Sequence, residues 1–528
     1  MKRLLLLSAL LFTVACGAGT SVGGVGVPLR PIRPEDRVLL GDFSRVNAVA
    51  AVFDRVYVAY PTSLGIYRSL THRWEVPRAP AEPRLLNAVF AAIVDGVDQS
   101  VWLAIPDGWL HYRAEMDLWE RGSIPGRVQN VAIDAADPTR GVWFQSATGW
   151  YLQPRGGGVA MAASPPKSLR FPPSLEDAMR DLPQLRSLAP TLAQGPRLTP
   201  GRITTVAPAV DGSGWYLGTT TRGLLYFDRM GAQGQSFRVG LPSERVGALA
   251  TTDDGLWVAT DESPDVGAQL TFLCADLSCS KSITGSASFG LGFSAARQLL
   301  FASQHIWIGT DRGLLRQALP SGDLKRFDES SGLTDQRVTA LVARRGKVVS
   351  GGPRGLAAEN DAGAMERVAP NFTGMVYALA ASGDTVWAAT ISGLLQYLPG
   401  AADLTRPEGL RQIGGGNAST YGVGYVSDTL VAMTADHLLW RDPVSGTWAI
   451  GPELSSRLGR LMLMFTDNDG AWVAGDRGVA LVRPGVGALS VLEIPVDIPD
   501  QVTSIVRRGR YLWIGTPSGL VRYLLDLQ

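Results

Sequence analysis

Residues 512–523 read "LWIGTPSGLVRY", and residues 306–317 read "IWIGTDRGLLRQ". Each phrase begins with large apolar residues at every second position, which is strand periodicity. It then makes a short turn ending in Gly and enters a second apolar stretch, "GLVRY" or "GLLRQ". Upstream of the first phrase, "VTSIV" (502–506) is another strand, and turns such as "DNDG" (467–470) or "ASGD" (381–384) supply hairpin chemistry between the two. Looser segments such as "TWAIG" or "LKRF" complete a fourth strand. The unit is therefore a four-stranded antiparallel meander.

The unit recurs along the chain. Clear copies occupy residues 203–228, 246–260, 306–317, 376–398, 465–483 and 502–523, and weaker ones 46–68, 86–113, 128–152, 338–359 and 421–441, making eleven. The central aromatic position runs Tyr57, Trp102, Trp143, Trp215, Trp257, Trp307, Val348, Trp387, Leu430, Trp472, Trp513, mostly 39–45 residues apart. Eight of the 14 Trp fall on it. Four antiparallel strands in roughly 42 residues make a β-propeller blade. The expected fold is an all-β propeller of about eleven four-stranded blades. Trp102, Trp143, Trp215, Trp257, Trp307, Trp387, Trp472 and Trp513 are expected to pack blade on blade. Eleven exceeds the usual four to eight blades, so two packed rings and one wide ring both remain open. A spare strand, "RVLLGDF" (37–43), is expected to complete the last blade.

The pattern "DG-x-LWIGT-x-x-GL-x-x-Y" resembles the two-component-regulator propeller repeat, over about residues 46–523. The resemblance implies an exported propeller of the kind found in the periplasmic sensor halves of hybrid signalling proteins, where the repeat is associated with glycan sensing. This chain shows neither a transmembrane helix nor a kinase after the repeats, so it is not expected to signal alone.

Composition agrees with a turn-rich β protein: 528 residues, 61 Gly, 33 Pro, 45% hydrophobic and 18% charged. With 49 basic and 48 acidic side chains, no global charge points to nucleic acid or an anionic membrane surface. Four His and three Cys argue against a zinc site and against His-based catalysis. At the N-terminus, Lys2 and Arg3 precede the apolar run "LLLLSALLFTVA" (4–15), too short to span a bilayer as a helix, and then "TVAC" ends at Cys16. That resembles a lipobox, with Thr13 where Leu is usual. The reading is a lipoprotein signal peptide over 1–15, lipidation of Cys16, and a Gly-rich tether over 16–36 reaching roughly 20 Å. Gly17 after the Cys resembles the outer-membrane sorting pattern.

The propeller is expected over 37–528, with an insertion at 161–200. In it, "SLEDAMRDLPQLRSLAPTLAQ" (174–194) starts with a capping-box pair, Ser174 and Asp177, and is broken by Pro183 and Pro190. It reads as a helical plug packed on the propeller side, or as a lid or partner-docking element. Cys274 and Cys279 in "CADLSC" are expected to form a disulfide.

Catalytic and metal signatures are missing: no G-x-S-x-G, Walker loop or H-E-x-x-H occurs, "SPPK" (164–167) lacks companion motifs, and "DNDG" lacks the remaining calcium-loop ligands. No cofactor and no metal are expected. Two sets of residues are candidate binding groups. Arg222, Arg312, Arg354 and Arg477 precede the Gly of the turn between second and third strands and suit carboxylates, phosphates or sugar acids. Solvated turn residues, or bridges to Asp311 and Asp476, are the alternative. Asn47, Asn87, Thr204, Thr339, Tyr377 and Thr503 occupy equivalent first-strand positions and are expected to line a channel. The functional expectation is a non-catalytic binding or scaffold lipoprotein for an envelope protein complex or a glycan. The alternatives are a sensory component of a two-component-type system and a polysaccharide lyase or hydrolase.

Overall fold

The computed structural model describes residues 36–525 apart from 42, 196–197, 230–233, 238–239, 264–265, 278, 284–291, 320–322, 414–415 and 486. The expected signal peptide, Cys16 and all of the tether but Asp36 lie outside the described residues. The described residues form an all-β structure of antiparallel sheets, most of them four-stranded meanders, consistent with a propeller. In chain order the sheets occupy residues 48–75, 91–123, 128–170, 203–237, 246–283, 296–327, 340–368, 376–397, 422–453, 461–493 and 504–524, and are numbered 1 to 11.

The repeated phrase is explained by local geometry. In "LWIGTPSGL" the Thr516 hydroxyl donates to the Gly519 carbonyl (2.8 Å) and accepts from the Ser518 N–H (3.2 Å), which locks the turn between second and third strands. Thr310 and Thr390 do the same over Gly313 and Gly393. Gly519 has φ +125°, and a Cβ there would lie 2.8 Å from the Leu40 carbonyl, so only Gly fits. The Gly before the Thr has a different cause. A Cβ on Gly515 would meet Val246 Cγ1 at 2.7 Å, and one on Gly218 would meet Val46 Cγ1 at 2.6 Å. Each of these Gly residues seats a Val from another repeat.

Arg37–Leu40 completes sheet 11, antiparallel to Gly519–Leu524 with Arg37 opposite Tyr523. Leu39 packs among Trp472, Ile505, Leu512 and Val521, while Leu40 faces the opposite side, toward Val46 and Trp513. The buried Arg37 guanidinium donates through Nη1 to the carbonyls of Val496 (2.7 Å) and Asp497 (2.8 Å) and through Nη2 to those of Pro80 and Ala81 (both 3.4 Å), while its Nε is buried without a partner.

Two sheets depart from four strands. Sheet 8 has three, followed by an isolated bridge between Gln396 and Thr405. Sheet 3 has five, because Leu169–Arg170 adds to the edge of its first strand. The insertion then forms α1 (Leu175–Asp181) and α2 (Leu185–Leu192). Ser174 and Asp177 make a reciprocal capping box on α1. Pro183 separates the helices, but Pro190 lies inside α2 and does not end it. Ala178, Leu182 and Leu185 pack on Trp215, Leu217 and Phe227, so the insertion lies against the face of sheet 4.

First strands pack on first strands in two series: sheets 1, 2 and 3, and sheets 5 through 11 in order. Sheet 11 also packs on sheet 5, and sheet 4 packs on sheet 1. One apolar cluster joins sheets 1, 4, 5 and 11 through Val46, Val49, Tyr216, Val246, Leu256, Trp513 and Leu520.

The central position mostly faces the following sheet. Trp102 lies with Val131 and Phe144, Trp257 with Leu299 and Ile306, Trp307 with Val338 and Leu341, Trp387 with Val423, Trp472 with Ile505, and Trp513 with Val246 and Leu249. Trp143 instead covers Leu152, Ala163 and Leu169, within its own sheet and the insertion. Trp215, expected on this position, is one residue out of step. Counting back three residues from the turn Thr gives Trp513 from Thr516 and Tyr216 from Thr219, and Tyr216 faces sheet 1. Trp215 points the other way, into α1 and α2, and its indole N–H donates to Asp181 (2.8 Å). The same one-residue correction applies to Val348 and Leu430. Val349 faces sheet 8 and Val431 faces sheet 10. Side chains on a strand alternate faces, so a slip of one residue reverses the direction of packing.

Candidate functional site

The four turn arginines do not converge on one site. Arg222 donates to the Leu192 carbonyl of α2 (3.3 Å), and Arg477 to the Ser455 carbonyl (2.9 Å). Arg354 lies 3.6 Å from Asp335, and Arg312 is exposed. Asp311 does not bridge to an arginine; it accepts from the backbone N–H groups of Ser294 (3.0 Å) and Ala295 (2.9 Å). Three of the four arginines thus bind neighbouring loop segments.

The polar first-strand positions also differ from free channel lining. The Thr204 hydroxyl donates to the Val46 carbonyl (2.7 Å), Thr339 to Val376 (2.6 Å), Thr503 to Val246 (2.7 Å), and the Asn47 amide to Leu86 (3.0 Å). Each is a clasp between one sheet and another. Two clasps are doubled: Thr205 accepts from the Val49 N–H (3.2 Å) and Ser504 from the Leu249 N–H (3.1 Å). Tyr377 breaks the pattern. Its ring lies 4.9 Å from Tyr421, and Arg460 donates to the Tyr421 hydroxyl (3.1 Å) with its guanidinium 5.4 Å from that ring.

One arrangement has the connectivity of a nucleophile, a base and an orienting acid. His111 Nε2 lies 2.8 Å from the Ser100 hydroxyl, and Nδ1 lies 2.9 Å from Glu120. A neutral ring satisfies both contacts, donating from Nδ1 and accepting at Nε2. Burial pushes the imidazole below its ordinary range despite the Glu120 carboxylate, so the neutral form is favoured. Both Ser100 and His111 are 1% exposed, and the ring is stacked 3.8 Å from Trp102. The geometry serves polar satisfaction inside sheet 2, where a substrate has no approach. Cys274 and Cys279 form a disulfide, with Cα atoms 5.3 Å apart, across the last hairpin of sheet 5. Among the described residues no group of three His, Cys, Asp or Glu could hold a metal ion.

A cleft of about 460 Å³ opens where four connections meet, lined by Arg45, Pro61, Thr62, Arg84, Asn87 and Glu244. Arg45 comes from the link between Arg37–Leu40 and sheet 1. Pro61 and Thr62 form the second turn of sheet 1, and Glu244 lies between sheets 4 and 5. Arg84 and Asn87 sit on the 3-10 helix Pro83–Ala88. The walls are fixed from beneath. Leu86 is fully buried between Arg84 and Asn87, and its carbonyl takes the Asn47 clasp. Phe43 stacks on Tyr60 at 4.3 Å, and the Val246 N–H donates to the Glu244 carbonyl (2.9 Å). Of these six residues the sequence singled out Asn87 alone. Arg45, Arg84 and Glu244 lie in connections, outside the repeat pattern, so no periodicity marked them.

No protein-family model matches the chain, and no curated protein matches its sequence. Solved structures resemble it in backbone arrangement. One is the extracellular domain of a protein described as a hybrid two component system, BT4673 from B. thetaiotaomicron, 11% identical, with 93% of this chain and 73% of that chain covered and a TM-score of 0.41. Another is PorZ, a surface component of the type-IX secretion system of Porphyromonas gingivalis, 12% identical, with 94% and 74% covered and a TM-score of 0.42. A third is virginiamycin B lyase from Staphylococcus aureus, 12% identical, with 53% and 94% covered and a TM-score of 0.43. Among the described residues no helix is long and apolar enough to cross a membrane.

Proposed function

We propose that the chain is a non-catalytic binding module of the cell envelope: an exported lipoprotein, anchored at Cys16, whose folded body offers its rim to a glycan or to an envelope protein. The observation that carries this reading is the open cleft of about 460 Å³, whose walls are held by buried anchors while its arginines remain exposed. A preformed concavity with a few polar groups is the ordinary form of a small-ligand site. The inaccessibility of Ser100 and His111 supports binding over hydrolysis.

In this reading the body is two propeller rings. Sheets 5 to 11 close a ring of seven through the double clasp of Thr503 and Ser504 on sheet 5. Sheets 1 to 4 close a smaller one through the equivalent clasp of Thr204 and Thr205 on sheet 1, with α1 and α2 packed on the face of sheet 4. The cleft lies where the chain passes between the rings. The test is a glycan array together with crosslinking pull-down from envelope fractions, using the full exported chain. Specific capture of a glycan or a stable envelope partner supports the reading, whereas silence in both overturns it.

A further inference from the structure

We infer that the cleft at Arg45 and Arg84 binds the carboxylate of an acidic sugar, an inference that rests on the chain being a binding module. Arg45 and Arg84 both line one cavity, and among the described residues neither side chain is engaged by a hydrogen bond or ion pair of the protein. Elsewhere arginines are typically used: Arg37 on carbonyls, Arg507 on Asp467 and Asp469, Arg68 on Asp54 and Glu75. Paired guanidiniums offer forked donors that match a planar carboxylate.

The remaining lining selects among anions. Glu244 sets one negative charge against the two positive ones, which favours a monoanion over a doubly charged phosphate. Thr62 and Asn87 bring a hydroxyl and an amide to the lining, a mixed set of donors and acceptors suited to sugar hydroxyls. Pro61 is the one apolar residue among the six that line the cleft. The volume falls within the range of roughly 300–1,000 Å³ typical of small-molecule sites.

The test uses the full exported chain and three probes: tri-galacturonic acid, its neutral galactose counterpart, and a peptide with a free C-terminal carboxylate. Titration calorimetry at low salt is expected to show the acidic trimer binding at least tenfold more tightly than either of the others. Arg45→Ala and Arg84→Ala are each expected to weaken it at least tenfold. Arg84→Lys, which keeps the charge and loses the fork, should recover only part of the affinity. These arginines are exposed, so unchanged melting of the variants separates loss of binding from loss of fold. Equal binding of acidic and neutral trimers, indifference to both Ala substitutions, or tighter binding of the peptide would overturn the inference. Glycan capture that ignores uronates overturns it and leaves the binding-module reading standing.

Discussion

The double clasp at Thr503 and Ser504 joins residues more than 250 positions apart, and its removal is the sharpest test of the proposed ring closure. Thr503→Val deletes the hydroxyl that donates to the Val246 carbonyl (2.7 Å) and keeps the side-chain shape. Ser504→Ala deletes the acceptor for the Leu249 N–H (3.1 Å). A net hydrogen bond contributes about 1 kcal/mol, so the double variant should weaken this seam by about 2 kcal/mol. At 1.4 kcal/mol per decade that is roughly a 30-fold rise in local opening. Native-state hydrogen exchange reads it directly: protection should fall together in residues 246–251 and 504–524, the two sides of the seam. Thr339→Val removes the same kind of bond between consecutive sheets 7 and 8 and is the matched control. It should leave the 246–251 and 504–524 amides unchanged. If the double variant leaves those amides protected, or if only one side of the seam opens, the closure of sheet 11 on sheet 5 is not held in the way inferred.

Further outcomes are expected elsewhere. Leu39→Ala, at a residue 2% exposed between sheets 10 and 11, should destabilise the fold by about 2–5 kcal/mol in denaturant unfolding, because the cavity lies where the terminal strand completes the last sheet. Reducing Cys274–Cys279, or replacing both by Ser, should cost roughly 2 kcal/mol in a loop this short, visible as faster exchange confined to the 269–283 hairpin. His111 is held neutral by burial, so its folded pKa lies below its unfolded one. Its contribution is therefore present above the unfolded pKa of about 6.5 and is lost as pH falls through that value toward the folded pKa. Unfolding measured from pH 7.5 to 5.5 should show a steeper acid-side loss of stability in the wild-type chain than in His111→Gln; identical slopes would remove His111 from the account.

How much of this was legible beforehand differs by level. The repeat phrase specifies the meander because each of its parts has a local cause: alternating apolar residues make strands, the Thr locks the turn, and Gly519 alone tolerates its φ and the nearby Leu40 carbonyl. The terminal strand Arg37–Leu40 and the capping box of α1 were legible for the same reason. The register of three repeats was not. Trp215 drew the alignment to itself, yet the turn Thr, three residues after the true central position, was the better marker.

The candidate site shows the same division. Strands, turns and apolar faces could be read from the residues alone, since they follow from contacts within some forty residues. Which sheet follows sheet 4 or sheet 11 was decided only in three dimensions, by Val46 seated over Gly218 and Val246 over Gly515 and by hydroxyls that reach across 158 and 257 positions. The same long-range closure brings Arg45, Arg84 and Glu244, from three unrelated connections, onto one cleft. No local pattern encodes such a meeting, because its cause is the packing of sheets that are neighbours in space and strangers in sequence.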